Sequence, residues 1–180
     1  LGAQRVVAEE AHPAVALGPC AGLADVVEER RPPERVAAGH LVGEKSPNLD
    51  PQRLEEALKA CKRPKAVMAV HLFGASFDVD AVLSVCRKFS VPLIEDAAQA
   101  IGTKRKGRMA GGDGLCAGWS TFPTKNMGGI GDGGFLTTND DQFAATCRLL
   151  RNHGQAELYR HNLIGGNFRM DAIQATALRV

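Results

Sequence analysis

The residues with the clearest chemical potential are a lysine and an aspartate in unusual surroundings. Lys125 stands between a hydroxyl-rich segment, residues 120–124, and a glycine run, residues 128–134, which lets the backbone approach a ligand closely. Asp96 follows the apolar residues 91–94. A lysine amine acts as a nucleophile when a closed pocket leaves it partly neutral. An amine and a distant carboxylate could therefore hold a pyridoxal phosphate ring, the amine at the aldehyde and the carboxylate at the ring nitrogen.

Hydroxyl and amide side chains near these two residues extend the candidate site. Ser120 and Thr124 are hydroxyl donors able to hold a phosphate, and Gln99 can hydrogen-bond a ring oxygen or a substrate. Each residue also has an ordinary interpretation. Asp96 could cap a helix, Gln99 could be a surface amide and Lys125 could be an exposed loop lysine. The combination of these residues favours the cofactor site.

Strand and helix signals alternate along the chain from Asn48 onward. Residues 66–73 form an apolar run that predicts a strand buried on both faces. Further strands are predicted at residues 91–94, 116–122 and 135–138, and helices at Asp50-Pro51, at Asp78 or Asp80, at Asn139 or Asp140, and near Asp171. This order predicts an α/β fold, a three-layer α/β/α sandwich with a mostly parallel mixed sheet. Ligands of such sheets bind outside the carboxyl ends of the strands, where Asp96 and Lys125 both fall.

Other motifs were weighed against simpler explanations. Residues 129–134 match the spacing G-x-G-x-x-G, but they precede a predicted strand, so we reject a dinucleotide site. For His71 we favour a structural hydrogen bond over catalysis. The segment 151–154 could bind an anion or end a helix at Gly154, and both readings stay open. Asn167 and Arg169 stand at a helix start, where an anion could bind.

Composition excludes several classes of protein. The chain has 180 residues, 44% of them hydrophobic and 23% charged, with a net charge of +2, which gives no case for a nucleic-acid partner. No apolar run approaches the roughly 20 residues that cross a bilayer, so no membrane partner is expected. The five cysteines are scattered and odd in number, which argues against a zinc site or a disulfide framework and favours the cytoplasm.

A set of motifs in fixed order makes the chain resemble a known family. Residues 48–180 resemble the sugar aminotransferases of the DegT/DnrJ/StrS group, which are fold-type I pyridoxal phosphate enzymes. The resemblance rests on Asn48-Leu49-Asp50-Pro51, Val70-His71-Leu72-Phe73-Gly74, Glu95-Asp96-Ala97-Ala98-Gln99-Ala100, residues 120–126, Gly131-Asp132-Gly133-Gly134, residues 150–154 and residues 166–171.

The resemblance implies a role for five residues. Lys125 would bind the aldehyde of pyridoxal phosphate and move the substrate proton, and Asp96 would hold the pyridine nitrogen. Gln99 would lie against the phenolic oxygen, and Ser120 would bind the phosphate. Asn167 would reach the phosphate of a neighbouring subunit, which implies a homodimer with shared sites. The reaction would transfer an amino group from L-glutamate to a nucleotide-linked keto sugar.

The resemblance does not extend over a whole enzyme. Residues 1–45 match poorly and lack the family's Gly-Thr phosphate loop and its stacking aromatic residue. Residues 46–180 correspond to part of the pyridoxal phosphate-binding large domain, and a C-terminal small domain is missing, as in a fragment. Two alternatives remain. One is a truncated, non-catalytic domain. The other is a pyridoxamine phosphate-dependent sugar dehydratase, although a histidine replaces the lysine there, so Lys125 argues against it.

Overall fold

A five-stranded mixed sheet lies at the centre of the chain. The computed structural model describes residues 5–9, for which only the backbone is described, together with residues 41–43 and 46–179. In chain order the elements are β1 (Arg5–Glu9), β2 (Val42–Gly43), β3 (Ser46–Leu49), α1 (Pro51–Ala60), β4 (Val67–Val70), a 3-10 helix (Leu72–Gly74), α2 (Val79–Lys88), β5 (Leu93–Asp96), β6 (Lys104–Arg105), β7 (Arg108–Met109), β8 (Cys116–Ser120), β9 (Gly134–Thr138), α3 (Asp141–Arg151), β10 (Gln155–Glu157), β11 (Arg160–His161) and α4 (Ala172–Ala177).

The central sheet has the strand order β1-β9-β8-β5-β4. Strand β5 pairs in parallel with both β4 and β8, whereas β9 pairs antiparallel with both β8 and β1. The predicted α/β fold with a mixed sheet is confirmed. The described pairings divide evenly between the two directions, so the predicted excess of parallel pairs is not seen in this part of the sheet.

Each of the four α-helices in the described residues begins after an aspartate that accepts hydrogen bonds from backbone N–H groups of the first turn. These aspartates are Asp50, Asp78, Asp140 and Asp171. The sequence predicted Asp50 and Asp171, and the structure selects the other two from the predicted alternatives. An aspartate in this position satisfies donors that have no partner inside the helix, and it also lies favourably at the positive end of the helix dipole.

The cap of α1 provides a test of local stability. The Oδ1 atom of Asp50 accepts hydrogen bonds from Gln52 N at 2.8 Å and Arg53 N at 3.1 Å. We expect Asp50→Ala to lower the free energy of unfolding by about 1 kcal/mol, because these two donors lose their acceptor. Urea denaturation followed by circular dichroism measures the change. Gln52→Ala, at an exposed position of the same helix, is the control and should stay close to wild type.

Helices α1 and α2 cover one face of strands β4 and β5. Leu54 and Leu58 of α1 and Val82 of α2 pack there against Val67 and Leu93 of the strands. This cluster is the larger of the two buried apolar clusters in the described part of the chain. The cluster fixes the position of β5, whose last two residues are Glu95 and Asp96.

The opposite face of β4 corrects one prediction. Residues 66–73 were expected to be buried on both faces, yet burial alternates along β4. Val67 and Ala69 are buried beneath the helices, whereas Met68 is 65% and Val70 37% exposed. Side chains of a strand point alternately to the two faces. Strand β4 lies at the edge of the described sheet, and the two helices cover only one of its faces.

A second buried cluster supports the middle of the sheet. The rings of Trp119 and Phe135 stack with centroids 5.6 Å apart, and Ala97 and Ala117 pack beside them. The Trp119 Nε1 atom donates a hydrogen bond to Thr137 Oγ1 at 2.9 Å. The indole therefore satisfies its only donor inside the protein. It anchors β8 directly before Ser120, the last residue of the strand and a predicted phosphate ligand.

The N-terminal segment contains a strand that the sequence did not predict. Strand β1 pairs antiparallel with β9 over residues 5–9, and β2 pairs with β3 near Val42 and Leu49. Neither short strand shows the sustained period that sequence patterns require. The other predictions made for residues 1–45 concern segments that lie outside the described residues.

Within the described ranges, none of the helices combines the length and apolar character needed to cross a bilayer. The same residues contain no group of three or more metal-binding side chains.

Candidate functional site

Asp96 and Ser120 end two neighbouring parallel strands on the same face of the sheet. Asp96 is the last residue of β5 and pairs in register with Gly118 of β8, so Ser120, two residues further, points to the same side. Apart from Gly118 and its two chain neighbours, no atom of the described chain lies within 4 Å of the position where a side chain on Gly118 would begin. The carboxylate and the hydroxyl therefore border an open space at the carboxyl ends of the strands, where this architecture binds ligands.

Gln99 lies in the turn that follows Asp96, and its amide has a defined orientation. The Oε1 atom of Gln99 accepts a hydrogen bond from Phe73 N at 2.9 Å, and a backbone N–H can only donate. The Nε2 group consequently keeps its hydrogens for another acceptor. Phe73 adopts φ 55° and ψ 26°, a left-handed conformation that is uncommon for a bulky residue. Asp96 itself accepts from Ala98 N through Oδ1, which makes it the cap of a turn rather than of a helix.

Lys125 lies in a loop that leaves the sheet at Ser120 and returns at β9. Thr121 joins the two sides of this loop: its N–H donates to Gly133 O at 2.7 Å, and its carbonyl accepts from Gly129 N at 2.8 Å. Inside the loop, Lys125 N donates to Phe122 O at 2.8 Å. The glycines up to Gly133 precede β9 and open no helix, which is the order that the sequence predicted.

The hydroxyl of Ser120 retains its donor capacity. Its Oγ atom accepts a hydrogen bond from Phe122 N at 3.2 Å, and the hydroxyl hydrogen is therefore left for another acceptor. Ser120 and Gln99 thus both present donors, whereas Asp96 presents a carboxylate that can only accept when ionised. Thr124, the other predicted phosphate ligand, is exposed in the loop beside Lys125.

Asn167 belongs to a different part of the structure. It forms an isolated bridge with Asn152, just after α3, and its Oδ1 accepts from Arg169 Nε at 2.9 Å. Arg169 also donates to Asn152 Oδ1 at 3.0 Å. Because a guanidinium has only donors, the Nδ2 group of Asn167 points away from Arg169 with its hydrogens available. The segment 151–154 ends helix α3, and Gly154 N donates back to Leu149 O at 2.7 Å.

A buried carboxylate next to Asp96 was not recognised in the sequence. Glu95 is fully buried and accepts four hydrogen bonds, from His71 Nε2 at 2.8 Å and from the N–H groups of Gly111 at 2.8 Å, Asp113 at 2.9 Å and Gly114 at 2.6 Å. Burial alone would raise the pKa of Glu95, but the hydrogen bonds from His71 and the three backbone groups hold the pKa below its ordinary value.

This arrangement confirms the prediction that His71 makes a structural hydrogen bond. Besides its side-chain bond to Glu95, its backbone N–H donates to Asp96 O at 2.9 Å. His71 and Glu95 together hold the strand end that presents Asp96. The alternation of β5 is the signal that could have identified Glu95, because it lies two residues after the buried Leu93 and so faces the same side.

The side chains at this edge have the chemistry that a pyridoxal phosphate molecule requires. A carboxylate can accept from a protonated ring nitrogen, while an amide N–H and a hydroxyl can donate to the anionic oxygens. The open space beside Gly118 lies between the carboxylate of Asp96 and the hydroxyl of Ser120. The residues present therefore fit the cofactor.

The fold and these side chains define an α/β cofactor-binding domain of the pyridoxal phosphate type. The chain belongs to the DegT/DnrJ/EryC1/StrS aminotransferase family, whose sequence model matches residues 42–180. The predicted family is thereby confirmed, and with it the predicted cofactor, pyridoxal phosphate, on which this family depends.

Individual relatives show how far the similarity extends. A protein of Geobacillus stearothermophilus named pleiotropic regulatory protein is 44% identical over 133 residues, which cover 74% of this chain and 35% of the relative. The UDP-2-acetamido-2-deoxy-3-oxo-D-glucuronate aminotransferase of Pseudomonas aeruginosa is 43% identical over 131 residues, 73% of this chain and 36% of the relative. A crystal structure of a DegT DnrJ EryC1 StrS aminotransferase from Brucella abortus superposes with a TM-score of 0.74 at 36% identity, covering 77% of this chain and 39% of that one. The chain thus spans little more than a third of the length of these relatives.

Proposed function

We propose that the protein carries the cofactor site of an enzyme that transfers an amino group to a nucleotide-linked keto sugar, with L-glutamate as the donor. One observation carries the proposal: Asp96 and Ser120 end two adjacent strands at their carboxyl ends, and Gln99 and Lys125 lie in the segments that follow them. The name of the Pseudomonas aeruginosa relative supports the sugar substrate. We also propose that the complete enzyme has a three-layer sandwich around this sheet.

The residues of the chain divide the work of the reaction. When bound, pyridoxal phosphate supplies a ring that accepts the electron pair released as a C–H bond beside nitrogen breaks. The Asp96 carboxylate would hold the protonated ring nitrogen, and Gln99 Nε2 would donate to the phenolic oxygen. The Ser120 hydroxyl would bind the phosphate. The Lys125 Nζ atom would hold the proton that leaves the substrate carbon and release it again later, which would make this amine the general base and acid.

We propose a homodimer in which Asn167 donates from Nδ2 to the phosphate bound by the neighbouring subunit. Its amide is oriented by Arg169, and it belongs to a segment far along the chain from Ser120. Leu158, Tyr159 and Ile164, in and after the hairpin of β10 and β11, are each more than three-quarters exposed. Apolar side chains exposed in this way are common at interfaces between subunits.

We propose the cytoplasm as the location of the enzyme. Cys61, Cys86, Cys116 and Cys147 form no disulfide within the described residues, and the remaining cysteine lies outside them. Burial raises the pKa of the Cys116 thiol to about 11, so this thiol stays protonated and unreactive near neutral pH. Free, unreactive thiols are typical of proteins in a reducing compartment.

Titration of the purified protein with pyridoxal phosphate tests the function. We expect the absorption spectrum of the cofactor to change as it binds to the protein. After reduction with borohydride, peptide mapping should place the cofactor on the peptide that contains Lys125. Label on another lysine would contradict the assigned site. No absorbance change would favour a truncated non-catalytic domain, and glutamate-independent loss of a sugar hydroxyl would favour the dehydratase.

A further inference from the structure

We propose that Gln174 of helix α4 is a positioning residue for Lys125, which it serves by clamping the glycine arm of the loop between β8 and β9. This inference rests on the proposed role of Lys125. Gln174 is only 7% exposed, although it is a polar residue of a short helix near the end of the described chain. A buried side-chain amide requires hydrogen-bond partners, and in the described residues both partners of the Gln174 side chain lie in this one loop.

The side chain of Gln174 bonds the loop with both of its polar atoms. Its Oε1 atom accepts from Ile130 N at 2.9 Å, and its Nε2 atom donates to Asp132 O at 3.4 Å. The two bonds bracket Gly131 in the same way that a paired strand would hold it. The amide therefore replaces backbone partners that this glycine segment lacks, and it joins α4 to a loop 42 to 44 residues earlier in the chain.

The glycines explain why the clamp can close. A Cβ atom on Gly129 would lie 2.7 Å from Gln174 Oε1, and one on Gly131 would lie 2.7 Å from Gln174 Nε2. Contacts this short are not tolerated, so the amide can reach the backbone only because both residues lack a side chain. The glycine run that follows Lys125 in the sequence is thus the segment to which the Gln174 side chain binds.

The clamp acts on Lys125 through the closure of the loop. Gly129 N donates to Thr121 O, one residue after Ser120, and Thr121 is itself almost fully buried. The loop is therefore pinned at its root by Thr121 and along its glycine arm by Gln174. Lys125 lies between these two fixed points, in a turn that is closed by the hydrogen bond from Lys125 N to Phe122 O. Without the clamp, the lysine amine would be spread over many positions relative to Asp96 and Ser120.

Two measurements on Gln174→Ala test the proposal. In the apo protein, amide hydrogen exchange at residues 129–133 should accelerate by about tenfold, the scale of one or two lost hydrogen bonds, while exchange in α1 stays unchanged. With saturating pyridoxal phosphate, the rate of borohydride trapping on Lys125 should fall by about tenfold, the scale of a misplaced reacting group, with little change in the half-saturating concentration. Gln174→Glu keeps the acceptor for Ile130 N and should recover part of both effects.

Further variants keep the test decisive. Gly131→Ala displaces the clamp from the loop side and should reproduce both effects, even if Gln174→Ala loses its fold. Gln142→Ala, an exposed glutamine of α3, is the matched control and should behave as wild type. Wild-type trapping and exchange rates in both Gln174→Ala and Gly131→Ala would overturn the positioning role. If wild type itself is not labelled on Lys125, the proposed function fails instead, so the two failures are distinguishable.

Discussion

Replacing Lys125 by alanine is expected to lower the rate of amino-group transfer by at least about 10²- to 10⁴-fold, the range that general acid–base catalysis supplies. The variant lacks the only group proposed here to accept the substrate proton. Lys125→Arg should be equally impaired, because a guanidinium keeps the charge but cannot deprotonate. Single-turnover conversion of the keto sugar, measured by chromatography, gives the rate.

Two comparisons separate catalysis from folding in this experiment. Lys125→Arg should unfold at nearly the wild-type urea concentration, because Lys125 side-chain contacts are not part of either buried cluster. Lys62→Arg, an exposed lysine after α1, is the matched control and should keep full activity. Activity of Lys125→Ala within about tenfold of wild type, less than any catalytic base contributes, would remove Lys125 from the mechanism.

The second large effect is expected from Glu95→Gln, which should lower the free energy of unfolding by about 3–5 kcal/mol, as when one partner of a buried pair is removed. The amide cannot accept at both ends. One end would place an NH₂ group against two donors, either His71 Nε2 and Gly111 N or the N–H groups of Asp113 and Gly114. Urea denaturation at pH 7 measures the loss. Glu56→Gln, an exposed glutamate in α1, is the control.

The effect of Glu95 should also depend on pH in a defined direction. Its pKa is below the ordinary value of 4.5 in the folded protein, so the folded state binds this proton less readily than the unfolded state. The stabilisation is therefore fully present above about pH 4.5 and is lost as the pH falls through the lowered pKa. The stability difference between wild type and Glu95→Gln should shrink as the pH falls below 4. A difference that grows in acid would show that Glu95 is protonated in the folded protein.

Local sequence signals predicted the four described α-helices and strands β4, β5, β8 and β9 of the central sheet. An aspartate before a helix and an apolar run before a polar residue act over a few residues, which is why Asp50 and Asp171 were correct. The same logic placed Asp96 shortly after a strand and Ser120 near the end of a strand at residues 116–122. The observed strands end at Asp96 and at Ser120. Their roles toward the cofactor remain predictions, because they depend on a bound molecule.

Features that depend on distant partners could not be predicted. An apolar run shows that a strand is buried but not which face is covered, so the exposure of Met68 and Val70 was missed. The sequence alone assigned Glu95 no role of its own, because its hydrogen-bond partners at residues 71 and 111–114 are distant along the chain. Gln174 carries no local sequence signal, because the backbone groups that its side chain bonds, Ile130 N and Asp132 O, lie more than 40 residues away along the chain.

The four hydrogen bonds of Glu95 also have a consequence for the order in which the protein folds. Its partners lie 16, 18, 19 and 24 residues away along the chain, in two segments on opposite sides of it in sequence. Burying the charge before both segments have arrived would leave it without enough donors, which is costly. We therefore expect partly folded chains to keep Glu95 in water. We also expect the end of β5, His71 and the turn at residues 111–114 to become ordered in one cooperative step, so that the edge that carries Asp96 forms as a whole.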